Sequence, residues 1–178
     1  MATGILTVLT GPMFAGKTDT LITMASALED DARKVYYPEI DTRYEAGYVT
    51  AHNGRKVLAE PVDLRLEKVE GAQNVFLDEA QFLTDVAALD KVISLIRAGS
   101  NVVVAGLDLD YHEKPFGLMP QFMVRANKVL KIRGICAHCG DPSTRTYRTS
   151  KKRAIVLVGG EEAYEPRCLD CFIAGDQV

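Results

Sequence analysis

No apolar run in this chain approaches the roughly 18 residues that a membrane span needs, and no basic N-terminal stretch precedes an apolar core with a small-residue cleavage site. Both absences predict a cytoplasmic protein with no membrane partner. An excess of positive charge is missing too. The 21 Lys and Arg residues face 24 Asp and Glu, giving a formal net charge of -3 and a pI near 5.6. A surface that coats nucleic acid needs a clustered positive field, so no nucleic-acid partner is expected. Cysteine is scarce at four residues in 178, whereas a secreted disulfide framework is usually smaller and denser in thiols. The apolar and charged fractions, 47% and 25%, are those of ordinary globular chains, and the length suits one domain with a proper core and a small appendage.

One stretch organises the rest. Gly11-Pro12-Met13-Phe14-Ala15-Gly16-Lys17-Thr18 matches G-x-x-x-x-G-K-[ST] without departure. The apolar run Ile5 to Leu9 suits a buried strand, and Leu21, Ile22, Met24, Ala25 and Leu28 recur at helical spacing. A strand, a glycine turn and a helix in that order form a phosphate cradle. The glycines let successive backbone amides point inward, and the helix start adds its positive dipole end. Lys17 then reaches the terminal phosphates of a nucleotide, and the Thr18 hydroxyl holds Mg²⁺.

A second segment, Val75-Phe76-Leu77-Asp78-Glu79, is an apolar strand ending in two carboxylates. In a nucleotide-binding α/β sheet such a strand end places an aspartate for Mg²⁺, here Asp78. Glu79 is left available as a general base. Between these segments Lys34 to Tyr37 reads as a strand and Glu39 to Gly54 as a long irregular loop. Val62 to Val69 fits helix and strand equally. Thr84 to Gly99 predicts a helix with Val86, Leu89, Ile93 and Ile96 on one face, capped by Thr84 or Asp85 and ended by Gly99. Asn101 to Leu107 is a further buried strand, Pro120 to Asn127 a short helix and Val129 to Ile132 a strand. This alternation predicts a P-loop-like parallel sheet with helices on both faces.

From Gly134 the pattern changes. Cys136 pairs with Cys139 and Cys168 with Cys171 in two Cys-x-x-Cys knuckles, separated by a β-rich excursion that includes the alternating run 153–158. A redox Cys-x-x-Cys belongs at a helix start after a strand, so two knuckles predict a closed tetrahedral Cys₄ zinc ribbon. His138 then needs no metal and faces solvent. The organisation expected is a nucleotide-binding domain over residues 1–133, a zinc-ribbon or lasso domain over 134–173, and a tail over 174–178. Arg145, Arg148, Lys151, Lys152 and Arg153 form a local basic run. It allows a competing reading as an ATPase gripping a polymer, although Glu161, Glu162 and Glu165 follow closely.

With Gly11 to Thr18, Asp41-Thr42-Arg43-Tyr44, Asp78-Glu79-Ala80-Gln81-Phe82, Lys114-Pro115-Phe116-Gly117 and the two cysteine pairs in this order, the chain resembles the cytosolic, type II thymidine kinases from Ile5 to about Phe172. The resemblance implies transfer of the γ-phosphate of ATP to the 5′-hydroxyl of thymidine, and of deoxyuridine as a plausible second acceptor, with Glu79 as the base. It implies that Asp78, Ala80 and Gln81 line the phosphate side, and that Asp41, Thr42 and Arg43 reach the phosphates. Tyr111 stands where the family usually has a phenylalanine packed on the base, just before the Lys114-Pro115-Phe116-Gly117 turn, whose Phe116 is also expected at the nucleoside. Thr146 and Arg148 match a Thr-x-Arg element. Ile155, Val156, Leu157, Val158 and Gly159 match a lasso whose backbone reads the thymine edge, and Tyr164 matches a tyrosine over the deoxyribose. Met13, Phe82 and Leu107 would surround the thymine methyl, while Phe82 and Leu107 fit plain core packing equally well. The resemblance further implies a structural zinc that clamps the lasso, feedback inhibition by dTTP and a homotetramer. Arg145 and Asn53 depart from residues frequent in the family.

Overall fold

The computed structural model describes residues 2–42, 47–150 and 163–175. In chain order its regular elements are β1 (Leu6–Thr10), α1 (Lys17–Ser26), β2 (Arg33–Pro38), β3 (Tyr48–Thr50), β4 (Lys56–Leu58), β5 (Glu60–Val62), β6 (Asn74–Leu77), α2 (Val86–Arg97), β7 (Asn101–Gly106), α3 (Met119–Arg125), β8 (Lys128–Lys131), β9 (Gly134–Ile135), β10 (Pro142–Ser143), β11 (Arg145–Arg148), β12 (Tyr164–Arg167) and α4 (Leu169–Ile173). Six strands form one sheet in the order β5-β2-β6-β7-β1-β8, and every pairing in it is parallel.

Alternation along the strands divides the core in two. Leu6, Val8, Val75, Leu77, Val102 and Val104 face α2 and α3 through Leu89, Val92, Met119 and Phe122. Leu9, Val35, Tyr37, Phe76, Val103 and Ala105 face α1 through Leu21, Ile22 and Ala25. Helices therefore cover both faces, as the strand-helix alternation predicts. Each buried Leu or Val contributes about 1.5–3 kcal/mol of transfer free energy.

Three expectations need correction. The stretch Glu39 to Gly54 is not irregular throughout: β3 leads into an antiparallel hairpin with β4, and Val49 and Val57 pack into the core beneath α1. Two apolar residues in a polar background were too weak a period-2 signal to see. The ambiguous Val62 to Val69 is neither helix nor strand beyond Val62, where β5 ends; Asp63 Oδ1 instead accepts from the Arg65 N–H at 2.7 Å and turns the chain. In α2 the buried stripe is Ala88, Leu89, Val92 and Leu95, while Val86 at the first turn is 61% exposed. The boundary predictions are close: Asp85 caps α2 by accepting from the Ala87 N–H at 2.9 Å, and Gly99 leaves the helix at φ +102°.

The C-terminal part is built of short pairs. β9 pairs with β10 and β11 with β12, all antiparallel. The predicted run 153–158 lies outside the described residues.

Candidate active site

Because all six sheet strands run the same way, their carboxyl ends open on one edge, where α/β sheets bind ligands. β1 delivers Gly11 to Thr18 there, β6 delivers Asp78 and Glu79, β7 delivers Leu107, and β2 leads to Asp41. Gly11 is needed for packing as well as curvature. Its φ is +137°, and a Cβ would stand 2.1 Å from the Ile132 carbonyl oxygen. Gly16 at φ +85° turns the loop into α1, whose first residue is Lys17. The buried Lys17 ammonium donates to the Pro12 carbonyl at 2.7 Å, holding it over the loop. The Thr18 hydroxyl donates to Asp78 Oδ2 at 2.9 Å. Two oxygen ligands from separate segments thus meet at the helix start, a donor set that fits a hard cation such as Mg²⁺.

Glu79 follows the buried Asp78 in a left-handed conformation, φ +51°, and opens a one-turn 3-10 helix over Ala80–Phe82. Its side chain is half-buried and accepts from Gln81 Nε2. Ala80 is buried in the core beside α2, so any approach to phosphate is through its backbone. Asp41 is buried and Thr42 exposed at the end of the β2 segment, and Arg43 lies outside the described residues. The β3–β4 hairpin closes over α1: Asn53 Nδ2 and Arg55 donate to Asp19 Oδ1 at 2.8 and 3.1 Å. His52 lies against Phe14 of the loop, ring centroids 5.0 Å apart.

On the other side of the loop an aromatic cluster forms from Tyr111 and Tyr164 with Ala163, and Met13 and Phe14 pack against it. Arg148, only 2% exposed, stacks its guanidinium 3.9 Å from the Tyr111 ring centre and donates to the Tyr164 hydroxyl at 2.6 Å. Two residues earlier on the same strand, the Thr146 hydroxyl accepts from the Met13 N–H at 3.0 Å. β11 therefore touches the phosphate loop with one side chain and the aromatic cluster with the next but one. Phe82 and Phe116 meet edge to face, centroids 6.1 Å apart, and Leu107 is half-buried at the end of β7. Ile155 to Gly159 lie outside the described residues.

Two ion pairs at the strand ends were not foreseen either. Lys131 pairs with the buried Asp108 at 2.6 Å, tying the end of β8 to that of β7. Arg145 pairs with Glu113 at 2.5 Å, so this departure from the family pattern joins β11 to the turn before Lys114. Asp108, directly after an apolar strand, was the one readable signal of the two.

The four cysteine sulfurs all lie within 4.8 Å of one another, with Cys139 and Cys168 Sγ at 3.6 Å. Zinc–thiolate bonds near 2.3 Å put the corners of a tetrahedron about 3.8 Å apart, so the cluster can hold a metal ion such as zinc. Burial pushes the Cys136 thiol up, but backbone amides of Cys168, Cys139 and His138 outweigh it and bring it down to about 6. The neighbouring Cys168 and burial raise Cys171 to about 11. His138 is exposed, as predicted.

Among the described residues no helix is long and apolar enough to cross a membrane. A family model described as thymidine kinase matches residues 4–172.

Proposed function

We propose how a chain that belongs to the thymidine kinase family, and is thus an ATP-dependent nucleoside kinase acting on thymidine, uses the residues gathered at its strand ends. The phosphates of ATP lie in the loop from Gly11 to Thr18, where Lys17 and the α1 start neutralise charge. Thr18 and Asp78 hold Mg²⁺, which when bound offsets the charge on the phosphate oxygens. The nucleoside enters between Tyr111, Phe116 and Tyr164, bordered by Met13, Phe82, Leu107 and Thr146, with the backbone of Ile155 to Gly159 at the base edge. Its 5′-oxygen forms a bond to the γ-phosphorus as the bond from that phosphorus to the β-phosphate bridging oxygen breaks. The hydroxyl proton passes to the Glu79 carboxylate, ADP departs and thymidine monophosphate remains.

Phosphoryl transfer demands position and charge neutralisation more than covalent work from the protein. The observation that carries this reading is the Thr18–Asp78 hydrogen bond, which brings the phosphate loop and the carboxylate strand end to one point, and Glu79 is the next residue along that chain segment. Deoxyuridine fits as a weaker acceptor, since a methyl in an apolar pocket is worth only about 1–3 kcal/mol. Zinc held by Cys136, Cys139, Cys168 and Cys171 has a structural part, supporting β11 and β12. Feedback inhibition by dTTP and a homotetramer rest on the resemblance, a cytoplasmic location on the sequence reading, and these complete the proposal.

The test is ADP release by zinc-replete protein with ATP and Mg²⁺, offered thymidine, deoxyuridine, deoxycytidine, single-stranded DNA or no acceptor. Turnover with thymidine, weaker turnover with deoxyuridine and none with the rest is expected. ADP release that ignores nucleosides and rises with DNA would sink the reading. Glu79→Gln should lower turnover about 10² to 10⁴-fold with little change in KM for ATP.

A further inference from the structure

We infer that Gln81 is a positioning residue that sets the Glu79 carboxylate, rather than a residue that lines the phosphates. The inference rests on Glu79 being the base. Gln81 is 1% exposed, walled in by the end of β7 and by the Phe116–Gly117 turn, where a Cβ on Gly117 would stand 2.1 Å from the Gln81 carbonyl oxygen. The orientation of its amide is dictated. The Leu107 N–H points at it from 3.1 Å and can only donate, so the group it meets must be the carbonyl oxygen Oε1. Nε2 is consequently aimed the other way, and it donates to Glu79 Oε2.

Two local features make this reach possible. The 3-10 turn that starts after Glu79 doubles the chain back, with the Phe82 N–H on the Glu79 carbonyl at 3.1 Å, so a side chain two residues on returns to Glu79. Gly106 leaves the room: a Cβ there would stand 2.7 Å from Gln81 Oε1 and 3.0 Å from the Gln81 nitrogen. The amide is thus held at its oxygen by the backbone of Leu107, directly after β7, and at its nitrogen by the base. Glu79 sits on a left-handed residue with a half-exposed side chain, and the Gln81 amide restricts its rotation. Leu107, beside the proposed nucleoside pocket, and Glu79 are linked through one amide.

Two variants and a cycle test this. Gln81→Met keeps the bulk and removes both contacts; Gln81→Glu keeps an acceptor for Leu107 and puts an acceptor where Glu79 requires a donor. Both should lower kcat about 10- to 100-fold, the scale of a small misplacement of a reacting group, with KM for ATP and thymidine within about threefold of wild type. On a Glu79→Gln background, Gln81→Met should cost less than about twofold more, because its role runs through the residue already removed. Wild-type kcat in both single variants, or a loss that multiplies in full on the Glu79→Gln background, would overturn the positioning role alone. A raised KM for ATP at unchanged kcat would return Gln81 to the phosphates. Full turnover in Glu79→Gln itself would remove the base, and this role with it.

Discussion

Arg148 is a charge in a place where charges are expensive. Removing a guanidinium from water costs several kcal/mol unless neighbours replace its hydration. Here the Tyr111 ring and the Tyr164 hydroxyl replace part of it, at 3.9 and 2.6 Å, while the buried Nε donates to no hydrogen-bond acceptor among the described residues. Arg148→Met keeps the length but leaves a buried phenol without this donor, and a hydrogen bond to a charged group is worth about 1.5–3 kcal/mol. KM for thymidine should rise by roughly 10- to 100-fold at saturating ATP, with KM for ATP much less affected. Arg148→Lys should not restore it, since an ammonium cannot lie flat on Tyr111 while reaching Tyr164. Steady-state kinetics with thymidine varied at fixed ATP would check both; an unchanged KM would reduce Arg148 to packing. None of this was readable from residue types alone. The Thr-x-Arg element marked residues 146 and 148 only through the resemblance; neither the strand that carries them nor the neighbour each meets was legible, because Met13 and Tyr111 lie far away in sequence.

At the scale of elements, β11 shows how a four-residue strand serves two environments. Thr146 and Arg148 face the phosphate loop and the aromatic cluster, while Tyr147 packs edge to face on Phe172 of α4, centroids 6.0 Å apart, beneath the Arg167 guanidinium. Strand alternation makes this division automatic. In α2 the weights run differently. Its existence and its cap were legible, but its buried stripe was not: of Val86, Leu89, Ile93 and Ile96 only Leu89 is on the buried face, which runs instead through Ala88, Val92 and Leu95. Asp85→Ala removes the side-chain acceptor for the Ala87 N–H and should cost about 1 kcal/mol, lowering Tm by about 2–4 °C in a chain of this size. Val86→Ala, exposed at the same helix end, should move Tm by less, and differential scanning calorimetry of the pair would separate cap from stripe. The phosphate loop and the Asp78 strand were the most legible elements, since their residue types are demanded by chemistry as well as packing. The β3–β4 hairpin was the least, having only Val49 and Val57 to announce it.

For the whole molecule, the two cysteine knuckles lie at the ends of the β11–β12 unit and the sheet holds the rest. Pro166 accepts from the Ala137 N–H at 2.8 Å and Arg167 donates to the Cys171 carbonyl at 3.0 Å, so the thiol cluster and β12 move together. Stripping a bound metal with a chelator should loosen Tyr164 and Arg148 while leaving the two-layered core of the sheet in place. We expect KM for thymidine to rise about tenfold or more. Far-UV circular dichroism should keep most of its helical signal, since α1, α2 and α3 belong to the sheet. Loss of all helical signal on chelation would mean that the cysteine cluster supports the entire chain.

The strand order also governs when this protein acquires its nucleotide site. β1 is made first, yet its hydrogen-bonding neighbours in the sheet are β7 and β8, which end at Gly106 and Lys131. A nascent chain therefore carries its phosphate loop on a strand with neither neighbour until Gly106 has left the ribosome, and with both only after Lys131 has followed. Parallel pairings across such long separations are slow to close. Over that interval Leu6, Val8 and Leu9 form an uncovered apolar edge, which makes the N-terminal strand the segment a chaperone has most reason to hold during synthesis.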